Sequence, residues 1–110
     1  MRYKNKLSFN ERQTTSGEIL EKYNNRKPII IYYDEKQINY KFLMLNSHTI
    51  SILLLNLRKR LNLGKEDSIF LFINKSVIPS PTDNILNLYN KYKDDDGYLY
   101  FDVKKENTFG

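Results

Sequence analysis

The end of the chain carries the group that is best suited to chemistry. The sequence closes with "ENTFG", directly after a strand-like run "YLYFDV". The carboxylate of Gly110 has no Cβ beside it, so it fits narrow slots that larger residues could not enter. One interpretation is that another enzyme reaches in and activates this carboxylate. The alternative is a frayed end without a function, because chain termini are commonly disordered.

Other reactive combinations are missing from the sequence. It contains one histidine, His48, and no cysteine, so the usual nucleophile and base pair cannot be assembled. The run "DDD" before Gly97 is interpreted as a solvated turn. It is not predicted to be a metal site, because a hard metal ion needs more oxygen ligands at defined spacing. His48 is expected on the surface or lining a groove. We predict a protein that is not an enzyme and that uses no metal or cofactor.

Composition bounds the class of protein. The chain has 110 residues, of which 40% are hydrophobic, and this is enough for one domain with a core. The absence of cysteine suits a reducing compartment. No apolar run has the length needed to cross a bilayer, and the first residues lack the hydrophobic segment of a signal peptide. The net charge of +5 either favours acidic partners and anionic lipid surfaces or serves only solubility.

A basic cluster, "RKR", occupies positions 58–60. Late in a helix, such a cluster complements the helix dipole. A nucleic-acid interface would interleave basic and aromatic residues, whereas the aromatic residues here are spread through predicted strands. Nucleic acid is therefore not expected as a main partner.

The first half of the sequence predicts two helical pieces and a β-hairpin. "TSGEILEKY" is predicted as a helix that begins with a capping box of Thr15 and Glu18, and Arg12 is assigned to a preceding helical turn. Pro28 interrupts the pattern. "IIIYY" then predicts a strand, "DEKQ" a turn and "INYKFLML" a second strand.

The second half predicts two helices and the remaining strands. "SHTISILLLNLRKRLNL" has helical apolar spacing, with Ser47 or Thr49 as the cap and Gly64 as the stop. "SIFLFIN" predicts a strand and "VIP" a short one after a turn. "SPTDNILNLYNKY" predicts a last helix capped by Ser80 or Thr82, and "YLYFDV" a final strand. The element order after the N-terminal helices, β-β-α-β-β-α-β, is that of a ubiquitin-like β-grasp.

Several segments, taken in order, resemble the autophagy ubiquitin-like modifiers, the group that contains GABARAP, microtubule-associated light chain three and autophagy-related protein 8. These segments are "EKYNNRKPIIIYY", "KFLML", "NLRKRLNL", "IFLFINKSVIP" and "LYNKYKDDDGYLYFDVKKENTFG". The likeness runs from Phe9 to Gly110. It implies an α+β fold with a mixed four-stranded sheet and two additional N-terminal helices. The implied divisions are a helical extension at 1–24, a ubiquitin-like domain at 25–103 and a flexible conjugation tail at 104–110.

The resemblance implies a reaction for the terminal glycine. In this family an activating enzyme adenylates the carboxylate, a conjugating enzyme carries it as a thioester, and phosphatidylethanolamine receives it through its amine. Phe109 would give those enzymes an apolar contact at Gly110. A cysteine protease releases the lipid and, in many relatives, first removes residues that follow the glycine. Two acyl chains anchor firmly, because each buried methylene contributes ~0.8 kcal/mol.

The resemblance also implies a groove for aromatic-x-x-aliphatic peptides, which are often preceded by acidic residues and which pair with the second strand. The implied aromatic pocket consists of Ile19, Pro28, Ile30, Lys41, Leu43 and Tyr98. The implied aliphatic pocket consists of Phe42, Met44, Leu45, Leu53 and Leu57. Arg26, Lys41, Arg58 and Arg60 would contact the acidic flank. The alternative is that the apolar residues form core, and for Leu53 and Leu57 core packing is at least part of their role.

Some positions depart from the family pattern. Thr15 stands where an acidic residue is common. His48 and Asn56 stand where the aliphatic pocket usually has apolar residues. We therefore predict an altered, weaker preference for an aliphatic second anchor.

The family resemblance leaves alternatives open for this chain. The expected protein is a monomer in the cytoplasm, and on autophagosome or related organelle membranes once it is lipidated. Its expected partners are the conjugation enzymes, the deconjugating protease and cargo receptors. The alternatives are a peptide-binding adaptor that never meets lipid, a modifier of proteins, or a role in organelle maintenance.

Overall fold

The computed structural model describes residues 1–106 and confirms the ubiquitin-like α+β fold. Phe109 and Gly110, which carry the predicted conjugation chemistry, lie outside the described residues. No helix within residues 1–106 is both long enough and apolar enough to cross a membrane. The elements are α1 (Tyr3–Lys6), α2 (Phe9–Lys22), β1 (Arg26–Tyr33), β2 (Ile38–Leu45), α3 (Ile50–Leu61), β3 (Ile69–Ile73), α4 (Ile85–Tyr92) and β4 (Leu99–Lys105).

The sheet has four strands in the order β2-β1-β4-β3. β1 pairs antiparallel with β2 and parallel with β4, and β3 pairs antiparallel with β4. The first and last strands therefore form the centre of the sheet, and β2 forms one edge. The predicted short strand "VIP" was wrong, because Val77 makes only an isolated bridge with Ile73.

Both faces of the sheet are covered, because successive residues of a strand point to opposite sides. On one face Ile29 and Ile31 pack with α3 and α4 in the main core, together with Phe101. On the other face Ile30 packs with Tyr3 of α1 in a smaller cluster. Full burial of each large apolar side chain contributes roughly 1.5–3 kcal/mol.

Helix α2 begins earlier than predicted. Ser8 is its N-cap: the Ser8 hydroxyl accepts the Glu11 N–H at 3.1 Å, and the Glu11 carboxylate accepts the Ser8 N–H at 3.2 Å. The predicted start at Thr15 was therefore wrong, and Arg12 belongs to the same helix. The buried residues of α2 are Arg12 and Ser16, both polar. Hydrophobic spacing consequently gives no signal in the first half of this helix.

The ends of α3 and α4 also differ from the prediction. Helix α3 ends at Leu61, and its C-cap is Asn62, which adopts the left-handed conformation with φ 56°, rather than Gly64. Asparagine is the residue other than glycine that most often takes this role. Thr49 is the N-cap residue of α3, without a side-chain cap bond. Asn84, rather than Ser80 or Thr82, caps α4 by accepting the Asn87 N–H at 2.8 Å.

Strand β4 extends beyond the predicted domain boundary. It continues to Lys105, and the Glu106 N–H donates to the Ser68 carbonyl at 2.7 Å. The first two residues of the tail predicted at 104–110 therefore belong to the sheet.

Candidate functional site

Strand β2 offers one side of its backbone to a partner. Among the described residues it pairs only with β1, which leaves its outer edge open. Its side chains alternate between the face covered by α1 and α2 and the face covered by α3. An open edge with apolar residues on both faces is suited to pairing with an extended peptide.

A cavity of about 350 Å³ lies beside β2, on the face covered by the N-terminal helices. This is within the usual range for pockets that bury a small ligand, roughly 300–1,000 Å³. Five of the six residues predicted for the aromatic pocket line it: Ile19, Pro28, Lys41, Leu43 and Tyr98. Tyr3, Leu7, Thr15, Ile29 and Phe42 complete the lining. We call this the aromatic cavity.

The register of the sheet explains how the aromatic cavity is built. Pro28 of β1 lies opposite Leu43 of β2. The pairing of β1 with β4 begins one residue later, at Ile29 and Leu99. Pro28 therefore needs no N–H on that side, which makes a proline acceptable in an otherwise central strand.

Helix α1 closes one side of the cavity through Tyr3. The Tyr3 side chain is buried at 5% exposure, and its ring meets the Tyr98 ring edge-on with centroids 5.3 Å apart. Beside it, the Arg2 guanidinium contacts the Asp102 carboxylate at 2.6 and 3.0 Å. An Asn39 amide oxygen of β2 accepts the Tyr3 N–H at 2.9 Å. The short helix is thus attached to the sheet at both β2 and β4.

The remaining predicted groove residues are more buried than expected. Ile30 is 1% exposed and packs behind Tyr3 and Tyr98 without lining the cavity. In the predicted aliphatic pocket, Met44 is 3% exposed, and Leu53 and Leu57 are fully buried in the main core. Only Phe42 and Leu45, which are half-buried, keep accessible surface there. The core alternative therefore describes Leu53 and Leu57.

A chain of hydroxyl groups forms the polar end of the aromatic cavity. Thr15 Oγ1 donates to the Arg12 carbonyl at 3.0 Å and lies 2.9 Å from the Tyr98 hydroxyl. Because the Thr15 proton is used by Arg12, the Tyr98 hydroxyl is the donor of that second bond. The Tyr3 hydroxyl donates to Tyr98 at 3.4 Å. The Thr15, Tyr98 and Tyr3 hydroxyls thus form one connected hydrogen-bonded chain beside the cavity.

Burial raises the pKa of Tyr98 to about 12. The neutral phenol is then favoured in the folded state, so its contribution to stability is present below the ordinary pKa of 10 and is lost as the pH rises through 12. Stability should therefore fall above pH ~10, and the fall should be smaller in Tyr98→Phe. Denaturant unfolding of both proteins across this alkaline range measures how the free energy of unfolding changes with pH. An equal pH dependence in both proteins would contradict the assignment.

A buried ion pair that the sequence did not predict lies next to the residues that line the aromatic cavity. Asp96 is fully buried, and its carboxylate accepts the Arg12 Nε–H at 2.8 Å, the Tyr98 N–H at 2.9 Å and the Tyr100 hydroxyl. The interpretation of "DDD" as a solvated turn was therefore wrong for Asp96, although Asp95 is exposed. This pair joins α2 to the residues just before Tyr98 and so fixes two walls of the cavity.

The four basic residues that were predicted to contact acidic peptide flanks lie in different surroundings. The Arg58 guanidinium donates to the carbonyls of Asp67 at 2.7 Å and Gly64 at 2.6 Å, which braces the loop after α3. The Arg60 guanidinium is exposed and lies 5.0 Å from the Phe42 ring of β2. Lys41 Nζ lies 5.0 Å from the Tyr3 ring, and the half-buried Arg26 lies beside Tyr23. Contact with acidic flanks stays a prediction for all four cations.

His48 lies in the turn between β2 and α3. It is half-buried, and its Nδ1 accepts the Leu45 N–H at 3.2 Å. Within residues 1–106, no cluster of three or more His, Cys, Asp or Glu side chains is arranged to hold a metal ion. The position of His48 agrees with the expected groove-lining or surface role.

Known proteins share this sequence and this architecture. The family model described as autophagy protein Atg8, ubiquitin-like, matches residues 11–110. Autophagy-related protein 8 of Vanderwaltozyma polyspora is 35% identical over 98% of this chain and 95% of its own length. The protein of the same name from Schizosaccharomyces pombe is 34% identical over 98% of this chain and 93% of its own length.

Solved structures agree with the sequence comparison. The crystal structure of Trypanosoma brucei ATG8 superposes with a TM-score of 0.86 at 30% identity, covering 100% of this chain and 98% of that one. Plasmodium falciparum Atg8, solved in complex with a Plasmodium falciparum Atg3 peptide, gives a TM-score of 0.81 at 29% identity over 94% of this chain and 95% of that one. With the family model spanning the domain from α2 onward, this chain belongs to the Atg8 family of ubiquitin-like autophagy proteins.

Proposed function

We propose that this protein is a modifier that is joined through Gly110 to phosphatidylethanolamine and that binds aromatic-x-x-aliphatic peptides along β2. Its role would be autophagosome formation and the recruitment of cargo receptors. The observation that carries the proposal is the aromatic cavity beside the open edge of β2. Family membership supports the conjugation step, whose reacting residue lies outside the described part of the chain.

Strand geometry suggests how a peptide would be held. A peptide that adds to β2 alternates its side chains between the two faces of the sheet, so residues three apart point to opposite faces. The first anchor would enter the aromatic cavity. The other would enter the space between β2 and α3. Lys41 at the cavity and Arg60 near Phe42 would attract acidic flanking residues, each worth about 0–1 kcal/mol if exposed.

The conjugation would proceed by transfer of one acyl group. The Gly110 carboxylate is first activated as an adenylate, then passes to a cysteine thiol of the conjugating enzyme as a thioester. The amine of the lipid attacks the thioester carbonyl, an amide forms and the thiol leaves. The solved Plasmodium relative holds an Atg3 peptide, and we propose that this chain similarly binds peptides of its conjugation partners.

Leu43→Asp should weaken the binding of aromatic-x-x-aliphatic peptides by more than about tenfold, because it places a charge in an apolar cavity. Isothermal titration calorimetry with the same aromatic-x-x-aliphatic peptides for each variant measures this loss. Asn87→Asp, on exposed α4 surface, makes the same kind of charge change and should bind as the unmodified protein does. Unchanged affinity in Leu43→Asp would remove the groove from the proposal.

The groove and the conjugation step can be separated experimentally. The groove depends on residues 1–106, whereas conjugation depends on the last residues of the tail. Two alternatives to the proposed lipid-joined modifier remain. One is a peptide-binding adaptor without lipid, and the other is a modifier of other proteins. Mass spectrometry of the cellular adduct distinguishes them, since a phospholipid and a branched peptide add different masses. An unmodified chain that still binds peptides would favour the adaptor.

A further inference from the structure

A second cavity, of about 300 Å³, lies on the face of the sheet that α1 covers, between the N-terminal segment and the turn that follows β3. This volume is at the lower end of the usual range for small-ligand sites, roughly 300–1,000 Å³. Neither the proposed peptide binding nor the conjugation step uses this cavity. We call it the N-terminal cavity, and its charged and aromatic lining includes Arg2, Lys4, Tyr32, Lys75, Tyr100 and Asp102.

The charged groups that line the N-terminal cavity are mostly cations. Arg2, Lys4 and Lys75 line it together with a single carboxylate, so the lining has a net charge of +2 at pH 7. Lys4 pairs with Asp94, which lies outside the lining. Within residues 1–106, Lys75 makes no ion pair. The cavity therefore favours an anion over a neutral or cationic ligand.

The single carboxylate, that of Asp102, holds the Arg2 guanidinium against the sheet. The two Nη atoms of Arg2 donate to the two carboxylate oxygens at 2.6 and 3.0 Å, and the guanidinium carbon lies 4.4 Å from the centre of the Tyr32 ring. A guanidinium has five N–H groups in one rigid plane, so the pair with Asp102 leaves three of them for other acceptors. A cation that is already fixed loses less conformational freedom when it binds an anion.

The turn after β3 brings Lys75 to the cavity in an unfavourable backbone conformation. Asn74 and Lys75 have φ 53° and 67°, and the Ser76 N–H donates to the Ile73 carbonyl at 3.2 Å, which closes a two-residue turn. Turns with two positive φ values prefer asparagine followed by glycine. Lysine thus stands where glycine would be less strained. Strain of this kind is concentrated at binding and catalytic sites, which makes Lys75 a candidate ligand-binding residue.

The aromatic rings of the N-terminal cavity do not favour a nucleobase. Cations lie over three of the four rings that line it among the described residues. They are Arg2 over Tyr32, Lys4 over Tyr100 and Lys41 over Tyr3, at 4.4, 4.8 and 5.0 Å from the ring centres. The fourth ring, that of Phe101, is 1% exposed. An anion without an aromatic ring therefore fits this lining better than a nucleotide, which gains affinity by stacking.

We propose that the N-terminal cavity binds a phosphate monoester on a compact hydroxylated molecule, such as an inositol phosphate. A phosphate monoester carries a charge of about −1.5 to −2 at pH 7 and three acceptor oxygens. It therefore matches the net charge and the donors of the lining better than a carboxylate does. Asn5 and Asn74 line the cavity with exposed amide side chains, which would bind the hydroxyl groups of the ligand.

Titration of the full chain with myo-inositol 4-phosphate, followed by the NMR shifts of backbone amides, tests the proposal. Saturable shifts are expected at Tyr32, Asn74 and Lys75. The control ligand is myo-inositol, which lacks the phosphate and should cause no saturable shift. If the phosphorylated compound gave no saturation at these amides, or if both compounds gave the same response, the inference would be overturned.

Two substitutions of Lys75 separate binding from folding. Lys75→Met removes the charge and should weaken myo-inositol 4-phosphate binding by about fivefold or more. Lys75→Gly should lose as much affinity and also raise the thermal unfolding midpoint by a few degrees, because glycine relieves the strained turn. Lys59→Met, on the exposed side of α3, removes the same charge from the other face of the sheet and should bind normally. Unchanged binding in both Lys75 variants, or an equal loss in Lys59→Met, would contradict the proposal.

Vesicle sedimentation identifies the source of the phosphate. Vesicles that contain phosphatidylinositol 4-phosphate are compared with vesicles in which phosphatidylserine supplies the same charge. Stronger binding to the phosphoinositide vesicles, lost in Lys75→Met, would support a lipid head group as the ligand. Saturable binding of free myo-inositol 4-phosphate without this vesicle preference would support a soluble ligand. Binding to both kinds of vesicle that is equal and insensitive to Lys75→Met, with no response to the free compound, would reduce the cavity to general surface charge and refute the inference.

Discussion

Replacing Gly110 with alanine is expected to slow adduct formation with phosphatidylethanolamine by about 100-fold or more. In the proposed reaction the added Cβ would displace the carboxylate within the sites of the activating and conjugating enzymes, and displacement of a reacting group by about 1 Å costs roughly this factor. The measurement is the rate at which a lipid adduct, detected by its mass, appears when the chain is incubated with matched enzymes and lipid vesicles.

Thr108→Ala is the matched control for Gly110→Ala. It makes a small change in the same tail and leaves the terminal carboxylate on glycine, so conjugation should continue. Peptide binding at β2 should be the same in both variants, because the groove residues lie within residues 1–106. Efficient lipid conjugation of Gly110→Ala would refute the proposed attachment site. Loss in both variants would indicate that the tail sequence, rather than the glycine, limits the reaction.

Replacing Asp96 with alanine is expected to destabilise the fold by about 3–5 kcal/mol, the typical cost of removing one partner from a buried ion pair. The Arg12 side chain, only 10% exposed, would lose its carboxylate partner inside the protein. The Tyr98 N–H and the Tyr100 hydroxyl would lose their acceptor as well. Denaturant unfolding of the variant and the unmodified chain gives the difference in free energy.

Two controls separate the causes of this loss. Asp95→Ala changes the exposed neighbour in the same turn and should cost at most ~0.5 kcal/mol. Asp96→Asn retains an acceptor for the Tyr98 N–H but removes the charge that faces Arg12, so it should fall between the other two. A cost near that of Asp95→Ala for Asp96→Ala would show that the buried pair contributes little.

The strands were predictable because their signals are local. "INYKFLML", which follows the short turn "DEKQ", coincides with β2, Ile38–Leu45. The apolar run "SIFLFIN" likewise contains β3, Ile69–Ile73. In both cases strand propensity and burial agree, and the sequence pattern reflects that agreement.

Features that depend on distant partners were not predictable. Arg12 and Asp96 are 84 positions apart, so nothing near "DDD" indicates that one of its carboxylates is buried. The start of α2 was missed for a related reason. Its first half is held by a capping box at Ser8 and by the polar contact of Arg12, and neither produces apolar spacing.

The candidate groove also contains positions that the sequence indicates and positions that depend on packing with distant residues. Five of the positions that the family resemblance implied for the aromatic pocket line one cavity, because the register of β1 and β2 brings residues such as Pro28 and Leu43 together. For the implied aliphatic pocket, apolar type does not distinguish a surface residue from a core residue. Leu53 and Leu57 are fully buried in the main core.

The placement of β1 beside β4 has a consequence for synthesis on the ribosome. These central strands are the first and last to be translated, so the sheet remains open until nearly the whole chain has emerged. Tyr98 and its neighbours, which form one wall of the cavity, arrive with that final strand. A nascent or prematurely terminated polypeptide would thus lack the wall of the aromatic cavity that Tyr98 forms. The cavity would be complete only once translation of the domain is complete.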